Sequence, residues 1–220
     1  MILKNSYFID EIFIPHAKSS ITDDVTAVSQ DLISFMGLYE EECLIKCFGY
    51  PLYKQFKDNL DDTKPNGLKD DADEKWDWLL NGKEYNMPNG KPTRWRGLRW
   101  KNGSEYNKSL IADYVYYNYE KSDDDDRVGV GNVKQEAANA KIVSKTPKVI
   151  AAWRRFFEAV VGGCEQPNYV SNSFGNGIDW FGSNPEKPLN VFIREMNDVD
   201  KTTYEDFTPF PFKNANQFGF

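Results

Sequence analysis

A chain of 220 residues can build one well-packed domain, and with 40% hydrophobic and 28% charged residues it falls outside the disordered class. A net charge of −7 weighs against general affinity for nucleic acid phosphates, which needs a positive field. Three cysteines (Cys43, Cys47, Cys164) and one histidine (His16) make no disulfide framework, so folding in a reducing compartment is expected.

Aromatic residues are in surplus, with 15 Phe, 12 Tyr and 6 Trp at a mean hydropathy of −0.66, so many rings must share the surface with polar groups. Such rings are enriched at protein–protein contacts. No apolar run approaches a membrane span, and charges interrupt residues 1–11 where a signal peptide would have its apolar core. The expectation is a soluble protein, cytoplasmic when made.

Residues 6–15 (SYFIDEIFIP) read as a short strand or an extended arm on the core, ended by Pro15. Thr22-Asp23-Asp24 offers an N-cap, and the spacing of Val25, Val28, Leu32, Phe35 and Met36 predicts an amphipathic helix ending at Gly37. A second helix is predicted from Tyr39, with Glu40, Glu41 and Glu42 in a first turn where the macrodipole favours carboxylates. It runs through Leu44, Ile45 and Phe48. Gly49 and Pro51 divide it from a short helix carrying Leu52, Tyr53 and Phe56. Residues 59–73 read as a loop, and Asp73–Leu80 as a short helix presenting Trp76, Leu79 and Leu80, stopped by Asn81-Gly82.

In residues 83–103 the turn signal Pro88-Asn89-Gly90 between two short runs predicts a small β-hairpin. Glu105–Lys121 is the strongest helical reading. Leu110, Ile111, Tyr114, Val115 and Tyr117 form its buried stripe, with Tyr116 and Tyr119 beside it. Four aspartates, Asp123–Asp126, lead into a flexible stretch from Arg127 to Gly131. A long helical stretch is predicted from Asn132, interrupted at Pro147 and resumed over Lys148–Val161, where Val149, Ile150, Trp153, Phe156, Phe157 and Val160 keep helical spacing up to Gly162-Gly163. Beyond Cys164 only Val191–Met196 resembles a regular element, yet Trp180, Phe181, Phe207, Phe210, Phe212, Phe218 and Phe220 are too apolar for a solvated linker. That tail must dock on its own helical core or on a neighbour.

The expected fold is therefore mainly α: a helical bundle over 1–164 with a hairpin at 83–103, and an irregular, aromatic and Asn-rich arm over 165–220. Its core should include Leu32, Phe35, Leu44, Phe48, Leu110, Tyr114, Trp153 and Phe157.

Motifs for chemistry are absent. Cys43 and Cys47 share a helical face, but structural zinc takes four ligands and only His16 and Cys164 could complete the set, so they read as small buried hydrophobes. Neither His16 nor any cysteine sits in a nucleophile motif. Asp123–Asp126 lacks the alternation and closing Glu of a calcium loop, and Gly129-Val130-Gly131 lacks the Lys-Ser/Thr of a P-loop. No catalytic, cofactor or metal site is expected. The notable cluster is Lys91, Arg94, Arg96, Arg99 and Lys101 with Trp95 and Trp100 interleaved, a pattern that can grip single-stranded nucleic acid. On an acidic chain the same residues more often meet an acidic partner surface or stack on their own tryptophans. Arg94, Trp95 and Arg96, with the seven tail aromatics, are the candidate subunit or partner contacts.

The segment Tyr39–Phe56, a glutamate-rich helix followed by Phe48-Gly49-Tyr50-Pro51-Leu52-Tyr53, resembles the corresponding stretch of head-to-tail connector proteins in phages of Bacteroides and relatives, with crAss-like phages the closest setting. Trp76 with Leu79–Gly82, Trp95–Leu98, Ser109–Tyr117 and Ala152-Trp153 follow in the same order, so the resemblance spans roughly residues 6–165 and leaves out the tail. Cys47-Phe48 departs from it, since leucines are more usual there. The resemblance implies a helical adaptor assembling with itself into a closed ring, twelvefold, in the virion neck. Its partners would be the portal and the adjacent neck or tail rings, with genome DNA passing through without sequence-specific binding. The rival readings are another phage interaction protein (a tail component or host-takeover factor) and a nucleic-acid-binding accessory protein using the Trp-Arg cluster.

Overall fold

The computed structural model describes residues 1–14, 27–86, 90, 92–122, 126–128, 131–133, 146–162 and 186–213. Its helices are α1 (Ala27–Phe48), α2 (Tyr50–Asp58), α3 (Glu74–Asn81), α4 (Leu110–Ser122), α5 (Thr146–Val160) and α6 (Leu189–Val199). The strands are β1 (Lys83–Asn86), β2 (Pro92–Trp95), β3 (Arg99–Asn102), β4 (Glu105–Ser109), β5 (Asp126–Val128), β6 (Gly131–Val133) and β7 (Glu186–Lys187). The fold is mainly α with three small sheets among the described residues.

Helix α4 lies between α1 and α5. Its Leu110, Ile111, Tyr114 and Val115 are buried, and Leu32, Leu44 and Phe48 of α1 and Phe156 and Phe157 of α5 are buried with them. Phe35 and Trp153, expected in the core, are partly buried and pack against it. In α4 the stripe is shifted by one position: Tyr116 is buried and Tyr117 half-buried.

Gly37 does not end a helix. α1 runs through it unbroken, because the flanking Met36, Cys43, Leu44 and Cys47 all reach the core on one continuous helix. Burying such side chains is worth about 1.5–3 kcal/mol each, which outweighs the roughly 1 kcal/mol helix penalty of one glycine. Gly49 does end it. It has φ 84°, a left-handed value that only glycine adopts without strain, and α2 starts at the next residue.

Glu105–Ser109 is a strand and not the first turn of α4. Gly103, at φ 76°, turns β3 back onto β4 as an antiparallel pair, and the helix starts after Ser109. The Ser109 hydroxyl accepts from the Ile111 nitrogen at 3.1 Å and donates to the Leu98 carbonyl at 2.7 Å, so it caps α4 and ties it to the preceding loop. Asn132 likewise lies in a strand, β6, paired with β5, and Pro147 sits in the first turn of α5, where its missing N–H costs nothing. The Thr22–Asp24 cap, Asp123–Asp125 and residues 134–145 lie outside the described residues.

The N-terminal stretch is neither a strand nor loose. Two 3-10 turns, Asn5–Tyr7 and Asp10–Ile12, lay Ile2, Leu3, Tyr7, Phe8, Ile12 and Ile14 onto the core. The amides of Ile2 and Leu3 each donate at 2.8 Å to the carboxylate of the buried Glu40 on α1.

The tail is the largest correction to the expected fold. Residues 186–213 are not an irregular arm: β7 adds to β2 in parallel, and α6 buries Leu189, Phe192, Ile193 and Met196 in the same core as α1–α4. Sequence periodicity alone did not extend past Val191–Met196 because the following Asp200–Asp206 is turn, anchored by the fully buried Tyr204.

Candidate interaction surface

The Trp-Arg cluster is built on β2 and the turn into β3. Alternation along β2 buries Thr93 and Trp95 and exposes Arg94. Trp95 donates its indole N–H to the Leu79 carbonyl at 3.0 Å and stacks on Phe192. It is therefore a core residue and does not form a contact surface. Arg94 and Arg96 both donate to Glu186, one to each carboxylate oxygen, and the two guanidiniums hold that carboxyl below its ordinary range despite partial burial. Arg96 also lies 4.9 Å over the Trp100 ring. Arg99 is buried, donating to Asn81 Oδ1 at 2.9 Å and to the Pro65 carbonyl at 3.3 Å, with its guanidinium 4.3 Å over the Tyr106 ring. The charges that suggested a nucleic-acid grip are thus largely engaged within the subunit. Lys91 lies outside the described residues.

Of the tail aromatics, Phe207, Phe210 and Phe212 are described. A strap over residues 204–213 crosses the C-terminal end of α1 and reaches the body of α5: Thr208 donates its amide to the Phe48 carbonyl at 2.9 Å and Phe210 to the Lys46 carbonyl at 2.7 Å. Phe212 packs edge-on against Phe156 with centroids 5.1 Å apart, and Trp153 donates its indole N–H to the Lys213 carbonyl at 3.0 Å. Phe207 is half-buried, and Phe210 stays 54% exposed. Trp180, Phe181, Phe218 and Phe220 lie outside the described residues.

Among the described residues, other exposed large apolar side chains are Met1, Phe13, Ile33 and Leu38, Tyr50, and Val199. Ile33 and Leu38 stand on the outer side of α1 around Gly37, whose missing side chain leaves open space. No sequence signal distinguished this side, because the break expected at Gly37 hid the continuity of α1.

Among the described residues, several titratable groups form ion pairs and caps. Burial pushes the Cys43 thiol up beside Cys47, and both cysteines are fully buried on α1. Asp113 on α4 accepts two hydrogen bonds from Arg155 on α5, at 3.0 and 2.7 Å, yet burial outweighs that partner and raises its carboxyl to about 6. Among the described residues, no three His, Cys, Asp or Glu side chains gather as metal ligands, and no helix is long and apolar enough to cross a membrane.

No protein-family model matches the sequence, and neither a curated protein nor a solved structure matches it.

Proposed function

We propose that the chain is a structural protein of a tailed-phage virion: a subunit of the head-to-tail connector ring, joining portal to tail and continuing the DNA channel. The observation that carries this reading is the ordered series of structural residues from Tyr39–Phe56 through Trp76, Trp95–Leu98, Ser109–Tyr117 and Ala152-Trp153, which resembles connector proteins of crAss-like phages. A mainly helical domain, read as a connector bundle with a small hairpin, supports it, and so does the negative net charge, which lets DNA slide past a channel wall. Exposed Phe13, Leu38, Tyr50 and Phe210 offer apolar contact area of the kind subunit interfaces cover. In this reading the chain catalyses nothing, works at the virion neck and has itself, the portal and the neighbouring rings as partners.

Electron microscopy and native mass spectrometry of the purified chain, by itself and mixed with its portal, test this. Closed rings of about twelve subunits, formed by the free chain or on the portal, are the expected result. A chain that stays monomeric and never caps the portal overturns it.

A further inference from the structure

The geometry points to an oxyanion-binding cleft, taking the phosphate group of a small molecule, between the N-terminal segment, the loop 59–68 and the β3–β4 pair. The cleft has a volume of about 380 Å³ and is lined by four cationic side chains, Lys4, Lys64, Arg99 and Lys101, against two carboxylates, Asp62 and Glu105. On a chain of net charge −7 that local excess of positive charge is out of character.

Arg99 forms its floor. It is only 8% exposed, and its partners are neutral: the Asn81 side-chain oxygen, the Pro65 carbonyl, the Tyr7 hydroxyl and the Tyr106 ring. Among the described residues, no carboxylate lies within ion-pair distance of Arg99, Lys4 or Lys101. A buried guanidinium without a counter-charge is costly, and oxyanions are the ligands that its planar fork suits best. Lys64 is held at the rim by Asp70 at 2.8 Å, and Lys101 stands 5.1 Å over the same Tyr106 ring that Arg99 covers.

The loop is shaped around the guanidinium. Gly67 has φ 75°, and a Cβ there would lie 2.8 Å from Arg99 Nη2. The backbone therefore approaches the charged group as closely as only glycine allows. Arg99, Lys4 and Lys101 then line, with Ser6 and Ser104, one concavity that a tetrahedral oxyanion can fill. This inference is independent of the connector reading.

Calorimetry and thermal melts of the full chain test it with inorganic phosphate, pyrophosphate and AMP in separate arms, against citrate and against sodium chloride at matched ionic strength. Saturable binding with a rise in melting temperature is expected from at least one phosphate ligand. Binding of inorganic phosphate identifies the free ion as a sufficient ligand, whereas binding of AMP or pyrophosphate without it identifies a phosphorylated small molecule. Lys101→Met and Lys4→Met, both at exposed positions, should each weaken that affinity by about threefold to tenfold without lowering the melting temperature of the free chain. Absence of saturable binding beyond the chloride control, binding of citrate only, or unchanged affinity in both variants overturns the proposal.

Discussion

Trp95 and Phe192 lie stacked, ring centroids 5.7 Å apart and planes 15° from parallel, though almost a hundred residues separate them in the chain. The contact joins the β2 strand to α6, and both rings are buried. Tyr85 closes on Phe192 from β1 at 5.8 Å, and Tyr204 closes on it at 6.2 Å. Trp95, which sequence patterning assigned to a surface, and a helix assigned to an outlying arm are thus two sides of one core.

Removal of everything after Cys164 should therefore cost the domain its cooperative fold. Phe192→Ala, a milder probe, removes a fully buried ring and should destabilise by about 3–5 kcal/mol. Chemical denaturation followed by tryptophan fluorescence reads both. A truncated chain that melts as sharply as the parent would mean that α6 is dispensable.

Gly49→Ala should destabilise by about 1–3 kcal/mol, combining a strained backbone with a clash. The added Cβ would sit 2.0 Å from Thr208 Oγ1 and 3.0 Å from the Thr208 carbonyl oxygen, so the strap must move off α1. Thr208→Ala in the same chain should recover part of the loss and no more, since the φ of 84° stays. Urea midpoints of the two single variants and the double variant form the test, and full additivity would contradict it.

Glu40→Ala should free the N-terminal segment. The Ile2 and Leu3 amides lose the carboxylate that accepts from them in a buried site, at a cost of about 1–3 kcal/mol for each unpaired group. Amide exchange at residues 2–14 should then accelerate ahead of α4. Unchanged protection of Ile2 and Leu3 would show that apolar packing holds the segment by itself.

Asp113 should make the fold less stable as pH rises. Its folded-state carboxyl titrates at about 6 against an ordinary 3.8, so between roughly pH 4 and 6 the unfolded chain ionises this group while the folded chain keeps it protonated. The stability attached to this group falls across that window by an amount on the order of 3 kcal/mol and is level above it. Asp113→Asn removes the effect, so the parent-minus-variant difference in urea midpoint, followed from pH 4 to 7, should decline. A difference that climbs with pH would mean that the paired Arg155 outweighs burial.

Arg94→Ala with Arg96→Ala should change stability by no more than about 1 kcal/mol, because both exposed guanidiniums pair with one Glu186 carboxylate near solvent. Neither the parent nor a variant also carrying Arg99→Ala should bind DNA detectably. A salt-sensitive affinity in the parent that vanishes in that variant would restore the nucleic-acid reading of the cluster.

Local signals in the sequence were sufficient for several elements. Helical spacing located the bodies of α1, α4 and α5; Gly49-Tyr50-Pro51 marked the start of α2, and Asp73 with Gly82 bracketed α3. Each depends on contacts within a few residues, which periodicity and capping report directly. What failed were decisions made at a distance. Gly37 stays helical because core residues on both sides of it require one continuous axis, and Glu105–Ser109 becomes a strand because β3 supplies its hydrogen-bond partners. The tail aromatics announced that a docking surface was needed, but not that Trp153 and Phe156 of the same chain would receive Phe212, nor that Trp95 and Trp76 would receive Phe192 and Tyr204. Apolar area is non-directional, so the demand for burial is legible residue by residue, while the partner that meets it is decided only by the packed chain.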